Sequence, residues 1–311
     1  MIHVVFVSDD TYAQHVGVAI TSLKDQQRLG KSVHVHLLDG GISVVNLQRL
    51  NSLRGEHVTI TVYKANMEEY ADYLVLEHFS RAMYLRLSIE EVLPKNVTKV
   101  IYFDSDIIFL GPIDDLWNVD LSGSLMAAVG DYGTPFNYLR KDLGIDKPGE
   151  YFNSGVMVIN LEAWRINQVC RKVKTYICSN RQKLYYPDQD GLNAVLHGNW
   201  LRLDTGWNRF SGTVRDRDMS NRPAVVHFAS AFKPWFYKNV DVYQEDYLRY
   251  LRQTPWKEYQ FPDKNFINWL RRKVILKGPR FLFYSIQFFT VLWRRLMLWC
   301  ARQKALMKMK V

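Results

Sequence analysis

Over the first 130 residues, short apolar runs alternate with helix-length segments, and this alternation narrows the fold more than any other feature. The runs fall at residues 3–8, 33–38, 58–63, 99–103 and 125–129, with helical stretches at 14–27, 43–53 and 81–92. Runs apolar at nearly every position suit strands covered on both faces, and helices between them suit parallel crossovers. The expectation is an α/β fold with a mixed, largely parallel central sheet, in which ligands bind beyond the carboxyl ends of the strands.

A second block opens at Tyr151, with a strand expected at 156–160 and a helix at 162–177. Residues 207–262 are aromatic and irregular, punctuated by Pro223, Pro234, Pro255 and Pro262. The chain then changes character. From Lys264 to Val311 there are twelve Lys or Arg and no acid, which leaves 29 of the 41 basic residues to offset all 31 acids in the preceding body. The net charge of +10 therefore belongs to the tail. A nucleic-acid enzyme carries its basic face around its active site, so the near-neutral body argues against nucleic acid as a partner. The division expected is a catalytic unit over 1–262 and a basic, aromatic segment over 263–311.

At 48% hydrophobic and 23% charged, the 311 residues are neither a disordered chain nor a bundle of membrane spans. Three cysteines, Cys170, Cys178 and Cys300, have neither metal-site spacing nor an even count, which fits a reducing compartment. The amino terminus, MIHVVFVSDD, lacks a basic region and a cleavage site, and argues against secretion.

Chemistry concentrates at Lys99-Val-Ile-Tyr-Phe-Asp104-Ser-Asp106. A buried-type strand ends in carboxylates at i and i+2, which point to one side of a strand and can share one cation. A divalent ion held together with diphosphate oxygens is their natural partner. An isolated pair of this kind is also compatible with a solvated turn. A phosphatase of the haloacid dehalogenase type would place Gly-Thr or a similar small residue after the pair, where this chain has Ile107-Ile108-Phe109.

Five further stretches follow in a fixed order around that pair: Phe6-Val-Ser-Asp9-Asp10-Thr-Tyr12, His78-Phe-Ser-Arg-Ala-Met-Tyr84-Leu-Arg86, Tyr151-Phe-Asn153-Ser-Gly155-Val-Met-Val-Ile-Asn160, Pro187-Asp188-Gln189-Asp190-Gly-Leu-Asn193 and His227-Phe-Ala-Ser-Ala-Phe-Lys233-Pro-Trp235. Together they resemble glycosyltransferase family 8, most closely its bacterial lipooligosaccharide and lipopolysaccharide galactosyl- and glucosyltransferases. The resemblance covers about residues 1–235. It implies a GT-A type nucleotide-binding fold, UDP-galactose or UDP-glucose as donor, and retention of anomeric configuration. Carried over by position, it implies Asp104, Asp106 and His227 as metal ligands. The ion would be Mn²⁺, with Mg²⁺ as the alternative; an imidazole ligand favours the former. It also implies Asp9 at the uracil, Thr11 near the ribose, Lys233 at the diphosphate, Arg86 and Asp188 at the donor sugar, and Asn153 and Gln189 on its reacting face. Ser105 and Ser154 are counted with the donor-binding set.

Each residue has a structural alternative. Asp9 and Asp10 are ordinary caps for a helix starting near Tyr12, His227 an ordinary hydrogen-bonded core histidine, Arg86 a solvated helix residue, and Asn153 a turn residue before Gly155. Residues 37–43 read as a structural turn. The chain also departs from the family at Ser230, where Gly is common, and at Thr11, where Asn is frequent.

The residue at the reacting face is Gln189, a neutral amide and a weak nucleophile. Front-face attack, with a donor phosphate oxygen taking the acceptor's proton, is therefore preferred. Double displacement on the neighbouring carboxylates Asp188 or Asp190 is the other route. In the tail, residues 281–293 form a thirteen-residue apolar run, short of the roughly 20 needed to span a bilayer and flanked by Lys and Arg. An interfacial segment on an anionic membrane fits better, and the expected location is the inner face of the cytoplasmic membrane. A helical subdomain or protein contact is the structural alternative for the tail, and a nucleic-acid arm a third reading. For the whole chain, the alternative is a non-catalytic nucleotide-sugar or nucleic-acid binding protein.

Overall fold

A computed structural model describes residues 1–27, 30–75, 80–131, 141–147, 150–211, 222–229 and 233–277, together with positions 296 and 300. Ten strands are described: β1 (Ile2–Ser8), β2 (Val33–Asp39), β3 (Val58–Lys64), β4 (Lys99–Phe103), β5 (Ile107–Phe109), β6 (Met126–Gly130), β7 (Phe152–Asn160), β8 (Trp200–Arg202), β9 (Arg209–Phe210) and β10 (Val225–His227). Seven form a mixed sheet in the order β3-β2-β1-β4-β7-β6-β8, and three a small sheet in the order β5-β10-β9. The pairs β3–β2, β2–β1, β1–β4 and β6–β8 are parallel, whereas β7 runs antiparallel to both β4 and β6.

The expected strands match in place and order. The central strands β1 and β4 are apolar at nearly every position because the sheet is buried twice. On one face, Val4, Phe6, Ile101 and Phe103 meet Val16, Ala19, Ile20 and Leu23 of the helix Ala13–Gln26. On the other, Val5, Val7, Val100 and Tyr102 meet Tyr84, Leu85, Trp164, Val173 and Leu192. A third cluster joins Ile108 and Val226 of the small sheet to Trp235, Tyr247 and Tyr250. Residues 233–262 thereby gain a packing partner, including the helix Gln244–Leu251.

Two helix expectations need correction. Residues 81–92 form a 3₁₀ helix, Arg81–Ser88, before a short α-turn, Ile89–Val92. Tyr84 through Ser88 are buried without a break, so the segment has no solvent face to favour an amphipathic α-helix. The helix expected over 162–177 is two, Leu161–Asn167 and Val169–Ser179, broken at Gln168, whose φ of 52° is left-handed. The turn at residues 37–43 is as expected: Asp39 Oδ1 accepts from the amides of Gly41 and Ile42 at 2.8 and 2.6 Å, and Gly41 takes a φ of 108°.

Candidate active site

The first strands of a parallel sheet deliver their carboxyl ends to one edge, and the sequence motifs meet there. β1 and β4 pair in parallel through Phe6 and Phe103, so Ser8–Asp9 and Asp104–Asp106 leave the sheet side by side. The acidic pair lies between β4 and β5 rather than within a strand. Its middle residue, Ser105, donates its hydroxyl to the Val7 carbonyl and ties the turn to β1.

Backbone pairing then brings in the nitrogen ligand. β10 runs antiparallel to β5 with His227 opposite Ile107, and the Phe228 amide donates to the Asp106 carbonyl at 2.9 Å. His227 Nε2 thus lies 3.2 Å from Asp106 Oδ1 and 3.7 Å from Asp104 Oδ2. One donor atom from each of the three lies within 4.8 Å of the others, a spacing that fits a single divalent ion. The other ring nitrogen, Nδ1, faces Asn208 Oδ1 at 2.9 Å, and Asn208 Nδ2 donates to Asn153 Oδ1 at 2.8 Å. Because an amide oxygen only accepts, this chain puts the imidazole proton on Nδ1 and turns the Nε2 lone pair toward the carboxylates. Lys233 Nζ donates to Asp106 Oδ2 and, at 2.6 Å, to the Phe228 carbonyl. Burial opposes ionisation of Asp106, but the Lys233 ammonium beside it outweighs the burial and holds the carboxyl well below the usual range.

Arg86, read from sequence with a solvated alternative, is buried and central. It donates to Asp104 Oδ1 at 2.7 Å and to Ser154 Oγ at 2.7 Å, and pairs with Asp188 Oδ2 at 3.1 Å. Its guanidinium lies over the Tyr102 ring at 4.7 Å, and the Tyr102 hydroxyl reaches the same Asp104 oxygen at 2.8 Å. Burial raises the Asp188 pKa, with Arg86 opposing.

Gln189 and Asp190 come from the first turn of the helix Pro187–Leu196. Gln189 Oε1 accepts from Asn153 Nδ2, the Ser154 amide and Ser154 Oγ at 3.1, 2.9 and 3.3 Å. Its Nε2 faces Asp131 at 3.4 Å and Tyr151 OH at 3.1 Å. Asp190 turns away from that edge: one oxygen accepts from Tyr151 OH at 2.6 Å and the other from the amides of Tyr185 and Tyr186 at 2.7 and 3.0 Å. Burial raises its pKa to about 6. Asn153 is in β7, at a register irregularity against β6, and not in a turn.

Asp9 accepts from the Tyr12 amide at 3.0 Å, but the helix Ala13–Gln26 has Tyr12 at its N-cap with no side-chain cap, so Asp9 holds the turn before the helix and does not cap it. Asp10 instead accepts from the Ser43 amide and Asn46 Nδ2, and so joins the first crossover to the second. Thr11 is exposed beside them. His78 and Ser230 lie outside the described residues. Sequence reading missed Asn208, Tyr102 and Asp131. Asn208 lies within an aromatic stretch with no motif, and Tyr102 reads as one more apolar strand position.

With this geometry in hand, comparison with known proteins decides the family. The profile of glycosyl transferase family 8 matches residues 3–239. The chain belongs to that family. General stress protein A of Bacillus subtilis (strain 168) is 31% identical over 85% of this chain and 98% of its own length. Lipopolysaccharide 1,2-glucosyltransferase of Escherichia coli (strain K12) is 27% identical over 83% and 79%. The crystal structure of the galactosyltransferase LgtC with donor and acceptor sugar analogues superposes with a TM-score of 0.74 at 26% identity, covering 82% of this chain and 96% of that one. This family 8 chain is thus a glycosyltransferase with a GT-A fold. Among its described residues, no helix is long and apolar enough to cross a membrane.

Proposed function

We propose that the enzyme moves galactose or glucose, with retention, from a UDP-sugar to the core of lipooligosaccharide or lipopolysaccharide, with Mn²⁺ assisting departure of UDP. The observation that carries this reading is the convergence of Asp104, Asp106 and His227 within 4.8 Å, with Lys233 on the same carboxylate. Two carboxylates and a neutral imidazole suit Mn²⁺ better than Mg²⁺, which prefers oxygen. When bound, the ion supplies Lewis-acid charge to the diphosphate. Lys233 adds a fixed charge beside it, Asp9 and Thr11 meet the uridine, and the Arg86–Asp188 pair offers a donor and an acceptor to the sugar hydroxyls. The relatives named above, a galactosyltransferase and a lipopolysaccharide glucosyltransferase, support the donor and acceptor classes.

Front-face attack is favoured by the occupancy of the alternatives. The Gln189 oxygen accepts three hydrogen bonds, both Asp190 oxygens are engaged, and Asp188 is paired with Arg86. Ser154 sits between Arg86 and Gln189, and Asn153 between Gln189 and Asn208, so these two hold the reacting face in place.

The segment 263–311 attaches the enzyme to the inner, anionic face of the cytoplasmic membrane. Supporting this, the helix Phe266–Lys277 turns Arg272 onto the carbonyls of Tyr237 and Asn239 while leaving Phe266 and Ile267 73% and 76% exposed beside Arg271 and Lys273. Exposed aromatics among basic residues are the pattern of interfacial binding. The apolar run at 281–293 lies outside the described residues.

The test is UDP release across a panel of UDP-sugars with Mn²⁺, with and without truncated lipooligosaccharide. UDP-galactose or UDP-glucose should be turned over, the acceptor should stimulate release, and EDTA or Asp104→Asn should abolish it. Unchanged turnover in EDTA removes the metal from the mechanism, and silence across the panel removes the donor class.

A further inference from the structure

A second set of potential ligands lies at the other end of the strands. His3 of β1 and His34 and His36 of β2 share one sheet face, since His3 pairs with His34 and Val5 with His36 in parallel register. Alternate residues of neighbouring parallel strands stand above one another, which stacks the rings: His34 and His36 have centroids 4.2 Å apart, and His3 and His36 5.2 Å. His3 Nδ1 and His36 Nε2 are 3.0 Å apart. One nitrogen from each ring lies within 4.8 Å of the others.

The structure assigns to His3, His34 and His36 a binding site for a borderline-soft divalent transition ion, zinc in the first instance. Three imidazoles form a donor set for such an ion and not for Mg²⁺ or Ca²⁺. Zn–N bonds of about 2.0–2.1 Å in a tetrahedral site set the nitrogens ~3.4 Å apart, and His3 Nδ1 and His36 Nε2 already stand 3.0 Å apart. Outer partners are already present. Tyr63 OH lies 3.0 Å from His36 Nδ1, and Thr61 Oγ1 lies 2.8 Å from His34 Nε2, both on β3. Contacts of this kind fix the tautomer and orientation of a ligating ring. His36 is buried, whereas His3 and His34 are half-buried, so solvent can supply a fourth ligand. Burial lowers the proton affinity of all three rings, and neighbouring imidazoles add to it for His3 and His36; the neutral rings take the ion once the proton shared between His3 Nδ1 and His36 Nε2 moves to an outer nitrogen.

The position makes this a structural site. Val4 pairs with Ile101, so His3 stands level with Val100, about 13 Å along the strand from Asp104. A metal here cross-links β1 to β2 at the end remote from the acidic pair.

The experiment uses the full-length, tag-free chain carrying Asp106→Asn, which disables the other ligand set. Zinc bound after dialysis, the visible absorption of Co²⁺ and the thermal midpoint are each measured. The expected result is one equivalent of zinc, a tetrahedral Co²⁺ spectrum and a midpoint raised by about 5 °C at 100 times Kd. Adding His34→Gln should abolish all three, and His3→Gln, at a half-buried position, guards against misfolding of the first variant. Zinc that stays bound in both histidine variants, or no zinc and no shift in the parent, overturns the assignment.

Discussion

A methyl group on Gly155 would stand 2.3 Å from Cε1 of the His227 ring, 2.7 Å from Nδ1 and 2.9 Å from Asn153 Oδ1. The glycine is there for close approach, since its φ is not positive. Gly155→Ala should leave the fold intact at a cost of about 1–3 kcal/mol and push His227 off its line with Asp106. A Mn²⁺ titration should show affinity falling at least tenfold; unchanged affinity would separate His227 from the metal. His15 contributes to the pH dependence, as buried His36 does in the same sense. The His15 ring stacks on Trp235 at 3.6 Å and meets Tyr247 OH at 2.7 Å, and burial lowers its pKa from 6.5 to about 3. The unfolded chain takes up a proton below about 6.5 that the folded chain refuses. The contribution is therefore whole above pH 6.5 and shrinks as pH falls toward 3, by up to ~1.4 kcal/mol per unit. Asp190, raised from 3.8 to about 6, acts in the opposite sense and loses stability as pH rises through that range. In urea unfolding at pH 7 and 4.5, His15→Phe should flatten the fall, and an unchanged slope would assign the proton elsewhere.

At the scale of elements, strand positions were legible because burial on both faces writes a continuous apolar run. Local spacing also exposed the acidic pair, and the order of five motifs pointed to His227 and Lys233. What could not be read depends on contacts distant in sequence. Asn208 meets His227 only because β9 joins β10 in parallel, and Asp131 faces Gln189 across 58 residues of chain; Tyr102, two residues from Asp104, was hidden instead by reading as one more apolar strand position. The break at Gln168 was hidden for a local reason: glutamine carries no left-handed preference, whereas Gly or Asn would have marked it. Gln168→Gly should accordingly relieve strain and raise stability by ~0.5–1 kcal/mol, the left-handed penalty less the entropy of glycine. Chemical unfolding checks the sign.

For the whole molecule, the question is where the catalytic body ends. Charge places the change at 263, yet Asp263 accepts from the amides of Tyr237 and Lys238 at 2.7 and 3.0 Å, and Arg272 caps two carbonyls of the same loop. A cut at 262 would strip partners from that loop, so the informative cut falls after Lys277. A chain ending there should keep metal-dependent donor hydrolysis and transfer to a short soluble acceptor, lose most binding to anionic vesicles, and leave salt-sensitive pelleting to the full-length protein alone. Equal pelleting of the two would turn the tail from an anchor into a packing element.

The small sheet has a consequence for biosynthesis. It fastens residues 107–109 to 225–227, so the two carboxylates leave the ribosome more than a hundred residues before the imidazole and ammonium that meet them. With synthesis at ~5–20 residues per second, the nascent chain spends several seconds with Asp106 exposed and its nitrogen partners unmade. The proposed function therefore predicts that donor turnover begins only once residues 227–233 have emerged, and that a chain truncated before residue 227 releases no UDP in the panel assay above.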